Sequence, residues 1–245
     1  LATYISRHVH DAWARKLERA GLIDFFGGEQ DIQNGLIRCV GDAETRFQED
    51  ALRILRALRF SATLGFGIEA QTATALVRCK ALLANVSAER VAAELIRLLC
   101  GKDARRVLMD YADALSAVLP EIAPMRGLNQ RNQYHIYDVW EHTARAVESA
   151  EATPVLRLAA LLHDTGKPGR FTVDEQGTGH FYGHAKDSAA IADAVLRRLK
   201  LDNRTREEVV LLVERHDAPI EPNEKAVRRA MTRHSPEGYL RLLQL

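Results

Sequence analysis

Four places in the second half of the chain put imidazole and carboxylate groups where a divalent cation could use them. They are His142 in "WEHT", His163 and Asp164 in "LLHDTGK", His184 in "GHFYGHAKDSA", and His216 with Asp217 in "VERHD". Imidazole nitrogens and carboxylate oxygens suit borderline or hard divalent ions, and a mixed set leaves positions open to water, which favours catalysis over a structural cage. The cysteines, Cys39, Cys79 and Cys100, all lie far upstream, so a thiolate zinc cage is not in prospect. The His163-Asp164 doublet is the most informative pair, because it ends the apolar run of "LAALLHDTGKPG". Two polar groups at the end of a buried helix are costly unless partners or a metal satisfy them. Taken singly, His8, His10, His180 and His234 are read as surface or merely hydrogen-bonded residues. Lys167 could hold a substrate phosphate or be a solvated lysine at a helix end, and His135 and Asp138 could line the pocket or cap the helix of His142.

A second set of residues with chemical capacity lies in "EDALRILRALRF". Asp50, Arg53, Arg56 and Arg59 step three residues apart and wind along a helix as a polar ridge, with Leu52, Leu55 and Leu58 as the buried counterpart. A guanidinium offers several donors in one plane, and an adjacent carboxylate accepts from an exocyclic amine. Asp50 with Arg53 could therefore distinguish cytosine or adenine by hydrogen bonds alone. The helix by itself is equally an arginine-rich solvated face with an i,i+3 ion pair.

The elements that must position these groups are helical. Amphipathic spacing recurs in "EDALRILRALRFSATL", "AERVAAELIRLLCG", "DARRVLMDYADALSAVL", "VWEHTARAVESA", "PVLRLAALLHD", "AKDSAAIADAVLRRL" and "TREEVVLLVERHD", so the expected fold class is all-α. Ser87 ahead of Glu89 marks one helix start, Gly101 one stop, and Gly166 with Pro168 another. Strand signals are minor: "GLIDFF" and "GLIRCV" around a Gly-rich turn, and a two-stranded ribbon in "RFTVDEQGTGHFYG" turning at Gln176-Gly177. Pro, Gly, Asn and Gln break the helical period between Pro124 and Gln133, which sets a boundary between two parts.

At 245 residues with 47% hydrophobic content the chain has material for a core, and 34 Lys plus Arg against 33 Asp plus Glu leave it nearly neutral. The balance holds in both halves, so any nucleic-acid site is a local patch rather than a wholesale basic surface. Three scattered cysteines, no signal peptide and no apolar run of about 18 residues fit a reducing, cytoplasmic setting without a membrane span. The first residue is Leu1, and the chain ends inside the helical pattern "YLRLLQL", which suggests a fragment.

Two resemblances join these observations. "WEHT", "LLHDTGK" and "VERHD" resemble the HD superfamily of metal-dependent phosphohydrolases, an all-helical fold whose ligands come in the order His, His-Asp, Asp. That resemblance implies His142, His163, Asp164 and Asp217 as metal ligands, and hydrolysis of a phosphate ester or anhydride by water made acidic on a divalent ion (Mg, Mn, Ni or Fe). It places His163, Asp164 and Lys167 in the catalytic centre. His184 matches a position where some branches supply a histidine for a second metal or for the phosphate. Asp217 is preferred to its neighbour His216 by the family pattern.

"LIDFFGGEQDIQNGLIRCVGDAETRFQEDALRILRALRFSATLGFGIEAQT" resembles the neck of bacterial CCA-adding tRNA nucleotidyltransferases and their poly(A)-adding relatives. The resemblance implies that Glu49, Asp50 and Arg53 form the Glu-Asp-x-x-Arg motif that selects incoming CTP or ATP, with Arg56 and Arg59 as further nucleotide contacts. It makes Asp24 to Gly35 the flexible segment that helps switch between adding C and adding A. It further implies a tRNA 3′ end as partner and magnesium with CTP or ATP in the full enzyme. No Asp-x-Asp pair occurs, and residues 1–20 do not match the family. The expected organisation is thus 1–20 as an unmatched remnant of a missing head, 21–126 as nucleotide-templating neck and RNA-binding body, and 127–245 as an HD domain. Alone, such a chain is not expected to add nucleotides. The competing readings are a stand-alone HD phosphohydrolase that keeps the neck as scaffold and a non-catalytic tRNA-binding module.

Overall fold

The computed structural model describes residues 24–131 and 136–218, with isolated positions between 223 and 241. The readings made for residues 1–20 and for His8, His10, His135 and His234 lie outside the described residues. Helices dominate what is described, as the apolar spacing requires.

The first part runs α1 (Gly28–Gln33), β1 (Leu36–Ile37), α2 (Ala43–Glu49), α3 (Leu52–Leu64), β2 (Gly67–Ile68), α4 (Ala70–Cys79), α5 (Ala88–Leu99), α6 (Ala104–Asp110) and α7 (Ala112–Leu115), with short 3-10 segments at Lys80–Asn85 and Pro120–Met125. Acidic caps start two of these helices. Asp42 accepts from Thr45 N at the head of α2, and Glu69 accepts from Thr72 N at the head of α4. Ser87 occupies the N-cap of α5 without a side-chain cap bond. In α3 Leu52, Leu55 and Leu58 are buried and pack on α5 and α6.

The strand in "GLIRCV" pairs in parallel with Gly67–Ile68, placing Leu36 opposite Gly67. Of "GLIDFF", residues 21–23 lie outside the described residues; Asp24 accepts from Phe26 N (3.1 Å) and Glu29 N (2.8 Å) as the chain turns into α1. One local expectation is corrected: the run "EDALRILRALRF" is not one helix. Asp50 is extended (φ −151°, ψ 101°), ends α2, and accepts from Leu52 N at 3.2 Å as α3 begins. A short carboxylate that can bond the backbone two residues on competes with helix continuation. Asp50 therefore stands ahead of the arginine ridge rather than on it.

The second part runs α8 (Val139–Ser149), α9 (Pro154–Leu162), α10 (Lys167–Arg170), β3 (Thr172–Val173), β4 (Gly179–His180), α11 (His184–Arg198) and α12 (Asn203–Arg215). Asp138 caps α8 by accepting from Glu141 N at 2.7 Å, and its other oxygen accepts from Gly127 N at 2.9 Å. Pro154 begins α9, where its missing N–H costs nothing. Pro168 likewise sits in the first turn of the short α10, so it opens that helix as well as following α9. The ribbon forms as expected, antiparallel, with Thr172 opposite His180 and Val173 opposite Gly179.

Helix α9 explains the position of the site. It packs against α5, α8, α11 and α12, and every residue from Leu156 to Leu162 is buried. A helix buried on every face is one enclosed by neighbours, and its one charged member, Arg157, donates to Val147 O. Its C-terminal end delivers His163 and Asp164 into the interior.

Buried side chains from both parts form one continuous core. Polar contacts also cross between them, notably the bidentate pair of Arg198 on α11 with Glu121 (2.6 and 2.8 Å). Burial pushes the Glu121 carboxyl up, but Arg198 outweighs it and holds the group below its ordinary 4.5. A carboxyl depressed in the folded state contributes stability above its unfolded value and loses it as pH falls through the folded value. Glu121→Gln is expected to cost about 0.5–1 kcal/mol at pH 7 for this partly exposed pair, and close to nothing at pH 3. Urea unfolding at both pH values measures it; a cost independent of pH contradicts the assignment.

Candidate metal centre and arginine-bearing helix

The turn after α9 holds the centre. Asp164 is fully buried, and its carboxylate lies among four imidazoles from four places in the chain. Oδ2 is 3.1 Å from His163 Nε2 and 3.5 Å from His142 Nε2; Oδ1 is 3.3 Å from His184 Nε2 and 3.6 Å from His216 Nε2. The Nε2 atoms also meet in pairs, His163 with His142 at 3.3 Å and His184 with His216 at 3.2 Å.

Three of these rings are fixed by one local device. His163, His184 and His216 each direct Nδ1 at the carbonyl three residues back: Ala160 (2.8 Å), Phe181 (2.9 Å) and Val213 (2.7 Å). An N–H donated at Nδ1 leaves Nε2 as a bare acceptor in the neutral ring, the arrangement that second-shell carbonyls give to metal-binding histidines. Acceptor then faces acceptor at the His184–His216 pair, with the anionic carboxylate beside it. Both oxygens of Asp164 are buried without a hydrogen bond of acceptable geometry. Such a cluster needs cations to be stable. Two compact groups fit that need, His142-His163-Asp164 and Asp164-His184-His216, each with ligand atoms within 4.8 Å of one another and with Asp164 common to both. Burial pushes the Asp164 carboxyl up, but His163 foremost and then His184 and His216 outweigh it and hold the group well below the ordinary carboxylate range.

Asp217 lines the same cavity but belongs to neither compact group, while His216 belongs to one. The helix sets this difference. Val209, Leu212 and Val213 are the buried face of α12, and three residues further the same face carries His216.

The cavity measures about 340 Å³ and is bounded on one side by the ribbon, through Gly179, His180, Phe181 and Tyr182. Lys167 is buried there, with Nζ 2.8 Å from Asp164 Oδ2 and donating to Gln130 Oε1 at 2.8 Å. Phe181 turns toward Lys167, whose ammonium is 5.3 Å from the ring centre. Two glycines let the walls meet. At Gly166 a Cβ would lie 2.5 Å from His184 O, and at Gly179 one would lie 2.2 Å from Gln130 O.

The second constellation lies on the first part. Arg53 donates to Glu49 (2.5 Å) and to Arg46 O (2.9 Å), and Asp50 accepts from Arg90 at 2.9 Å. No i,i+3 pair of Asp50 with Arg53 forms. Arg56 and Arg59 both donate to Glu94, at 3.2 and 2.5 Å. Glu94 and Arg90 were not among the residues expected from sequence, although a signal existed: Glu94 is an acid set among Val91, Leu95 and Leu98 on the buried face of α5. A buried carboxylate requires a cation. Gln130, the buried acceptor for Lys167, carried no such signal because it lies in an irregular segment.

The fold and site define a helical protein with an HD-type His and Asp centre. Residues 132–240 match the HD domain, and residues 65–126 match a family described as the probable RNA and SrmB-binding site of polymerase A. The chain is 34% identical over 228 residues to an A-adding tRNA nucleotidyltransferase of Deinococcus radiodurans, covering 86% of this chain and 51% of the relative. It is 39% identical over 220 residues to a CC-adding tRNA nucleotidyltransferase of Thermus thermophilus, covering 84% and 50%. A crystal structure of the Bacillus stearothermophilus CCA-adding enzyme with CTP superposes with a TM-score of 0.65 at 30% identity, covering 91% of this chain and 48% of that one. This chain belongs to the CCA-adding enzyme family and corresponds to the helical body and HD part of its members. It spans about half the length of these two relatives. Among the described residues no helix is long and apolar enough to cross a membrane.

Proposed function

We propose that this chain serves tRNA 3′-end processing in two ways: it presents the nucleotide-selecting side chains of a CCA-type nucleotidyltransferase, and it carries a metal-dependent phosphate-ester hydrolase centre. The observation that carries the second role is the buried Asp164 carboxylate ringed by four imidazoles, three of them held with Nε2 as the acceptor. His142, His163 and Asp164 would hold one divalent ion, and Asp164, His184 and His216 a second, with Asp217 lining the opening. Bound there, the ions would supply Lewis acidity and a water of lowered pKa. The chain's own groups do the rest. The carbonyls of Ala160, Phe181 and Val213 hold three rings in the tautomer that keeps Nε2 free. Lys167, desolvated and steered by Gln130 and Asp164, neutralises the substrate phosphate. The metal could be magnesium, manganese, nickel or iron.

The nucleotide role rests on Glu49, Asp50, Arg53, Arg56 and Arg59. Glu49, Asp50, Arg53 and Arg56 are partly exposed, while Arg59 lies largely buried against Glu94 and over the Phe60 ring at 3.8 Å. Asp50 and Arg53 would meet the base edge, with Glu49 orienting Arg53. Arg56 and Arg59 tie the helix to α5 through Glu94. CTP and ATP, with magnesium, are the incoming nucleotides of this reading, and the tRNA 3′ end is the partner.

Each role has its own test. Equilibrium binding of CTP and ATP is expected to weaken on the order of tenfold or more in Arg53→Ala, the size of a charge-assisted bidentate contact. Unaltered binding removes the templating role. For the hydrolytic centre, His163→Ala is expected to lose the divalent ion that co-purifies with the wild-type chain. Chelation is expected to lower the wild-type melting temperature, since ion at a hundredfold over its Kd stabilises by about 2.7 kcal/mol. A wild-type chain that melts identically with and without chelator contradicts the centre.

A further inference from the structure

The ribbon carries a group that the reading above does not use. Tyr182 is 78% exposed, yet it lines the cavity that holds Asp164 and Lys167. It is not a loose surface side chain. Its ring stacks on His180, centroids 5.2 Å apart and planes within 9° of parallel. His180 is in turn fixed by Nε2, 2.7 Å from Asp174 Oδ2, and the other oxygen of Asp174 accepts from Gln176 N (3.0 Å) and Thr178 N (2.8 Å). The turn that makes this possible contains Gly177 at φ +84°. Between the two stacked rings, Phe181 faces the other way, against Phe171 (5.3 Å) and toward Lys167. The ribbon therefore sorts its aromatics, one rigid pair standing at the mouth and one ring closing the wall.

An aromatic ring that is backed on one face, held from beneath by a charged hydrogen bond, and open to solvent beside a phosphate-binding cavity is a stacking platform. We infer that Tyr182, supported by His180 and Asp174, stacks the nucleobase of the nucleotide whose phosphate lies at Lys167 and Asp164. The hydrolytic centre would then act on nucleotides or RNA 3′ ends in preference to phosphate esters without a base. A π-face is common to all bases, so the platform would confer preference for nucleotides over other esters with little choice among bases. This inference rests on the reading of the cavity as a phosphate-ester site, and it adds a specificity-determining residue to it.

Calorimetric titration of the manganese-loaded chain with two probes separates the two ideas: adenosine 3′-monophosphate carries base and phosphate, and glycerol 2-phosphate carries phosphate alone. The wild type is expected to bind the nucleotide on the order of tenfold tighter than glycerol phosphate, the scale of one base-aromatic stack. In Tyr182→Ala that ratio is expected to fall toward one, and in Tyr182→Phe to persist, because the ring and not the hydroxyl makes the contact. A ratio unchanged in Tyr182→Ala, or near one already in the wild type, overturns the platform. A wild type that binds neither phosphate overturns the phosphate-ester reading. The platform is then judged on adenosine alone: binding that disappears in Tyr182→Ala sustains it, and no binding by the wild type overturns it.

Discussion

Asp164→Asn is expected to abolish divalent-ion binding while leaving the chain folded, with hydrolytic activity down about a thousandfold, the equivalent of several kcal/mol of metal-derived stabilisation. Asp164 is the one residue common to both ligand groups, so its loss removes an anionic ligand from each. In the metal-free site two effects oppose: Asn presents an N–H that can donate to an imidazole Nε2, but it gives up the anion that faces the buried Lys167 ammonium at 2.8 Å. Stripped of metal, the variant is therefore expected to melt near the wild type; with manganese added, only the wild type gains stability. Thermal melts with chelator and with metal, beside metal analysis, read this out. A variant that melts far lower in both conditions assigns Asp164 a purely structural role.

Gly166→Ala is expected to cost about 3 kcal/mol and to weaken metal binding at the same time. A Cβ there would lie 2.5 Å from His184 O, 2.7 Å from Ser188 N and 2.9 Å from Ser188 Oγ. The first two are backbone atoms of α11, which cannot swing aside as a flexible side chain can. The bond from Gly166 N to Ser188 Oγ (2.8 Å) ties the same two segments. Relief of the clash requires α11 to move away from the turn, carrying His184 from Asp164 and opening the second ligand group. Gly169, three residues on, has nothing within 4 Å of its Cβ position, so Gly169→Ala is the matched control and should be near neutral. Urea unfolding and metal titration of both variants decide the matter. Equal stability of the two alanine variants contradicts the close approach.

Much of this arrangement was legible in the sequence, for physical reasons that can be named. The all-helical class followed from periodicity, and the importance of His163-Asp164 from the cost of placing polar groups at the end of an apolar helix. The ribbon followed from Gln176-Gly177. What escaped were features set by contacts distant in sequence or by single backbone choices. Asp50 fits the helical spacing of the arginines, yet its carboxylate prefers Leu52 N and breaks the helix. The partners of Arg56 and Arg59 lie on another helix, 38 and 35 residues away at Glu94. His216 stands on the inward face of α12 that Val209, Leu212 and Val213 define, and Asp217, the ligand the family pattern implies, lines the same cavity one residue, or about 100°, further round. The shared Nδ1 device was hidden because it depends on chain direction at the ends of α9 and α12 and at the turn into α11. Tyr182 was one aromatic in a ribbon, and only the stack on His180 marks it out.

Anomalous diffraction from crystals of the chain loaded with manganese decides whether the Asp164 cluster is a metal centre. Peaks are expected in the cavity flanked by His142, His163 and Asp164 on one side and by Asp164, His184 and His216 on the other, with Nε2 as the coordinating atom of each ring. A cavity without anomalous density at saturating manganese would contradict a metal centre there.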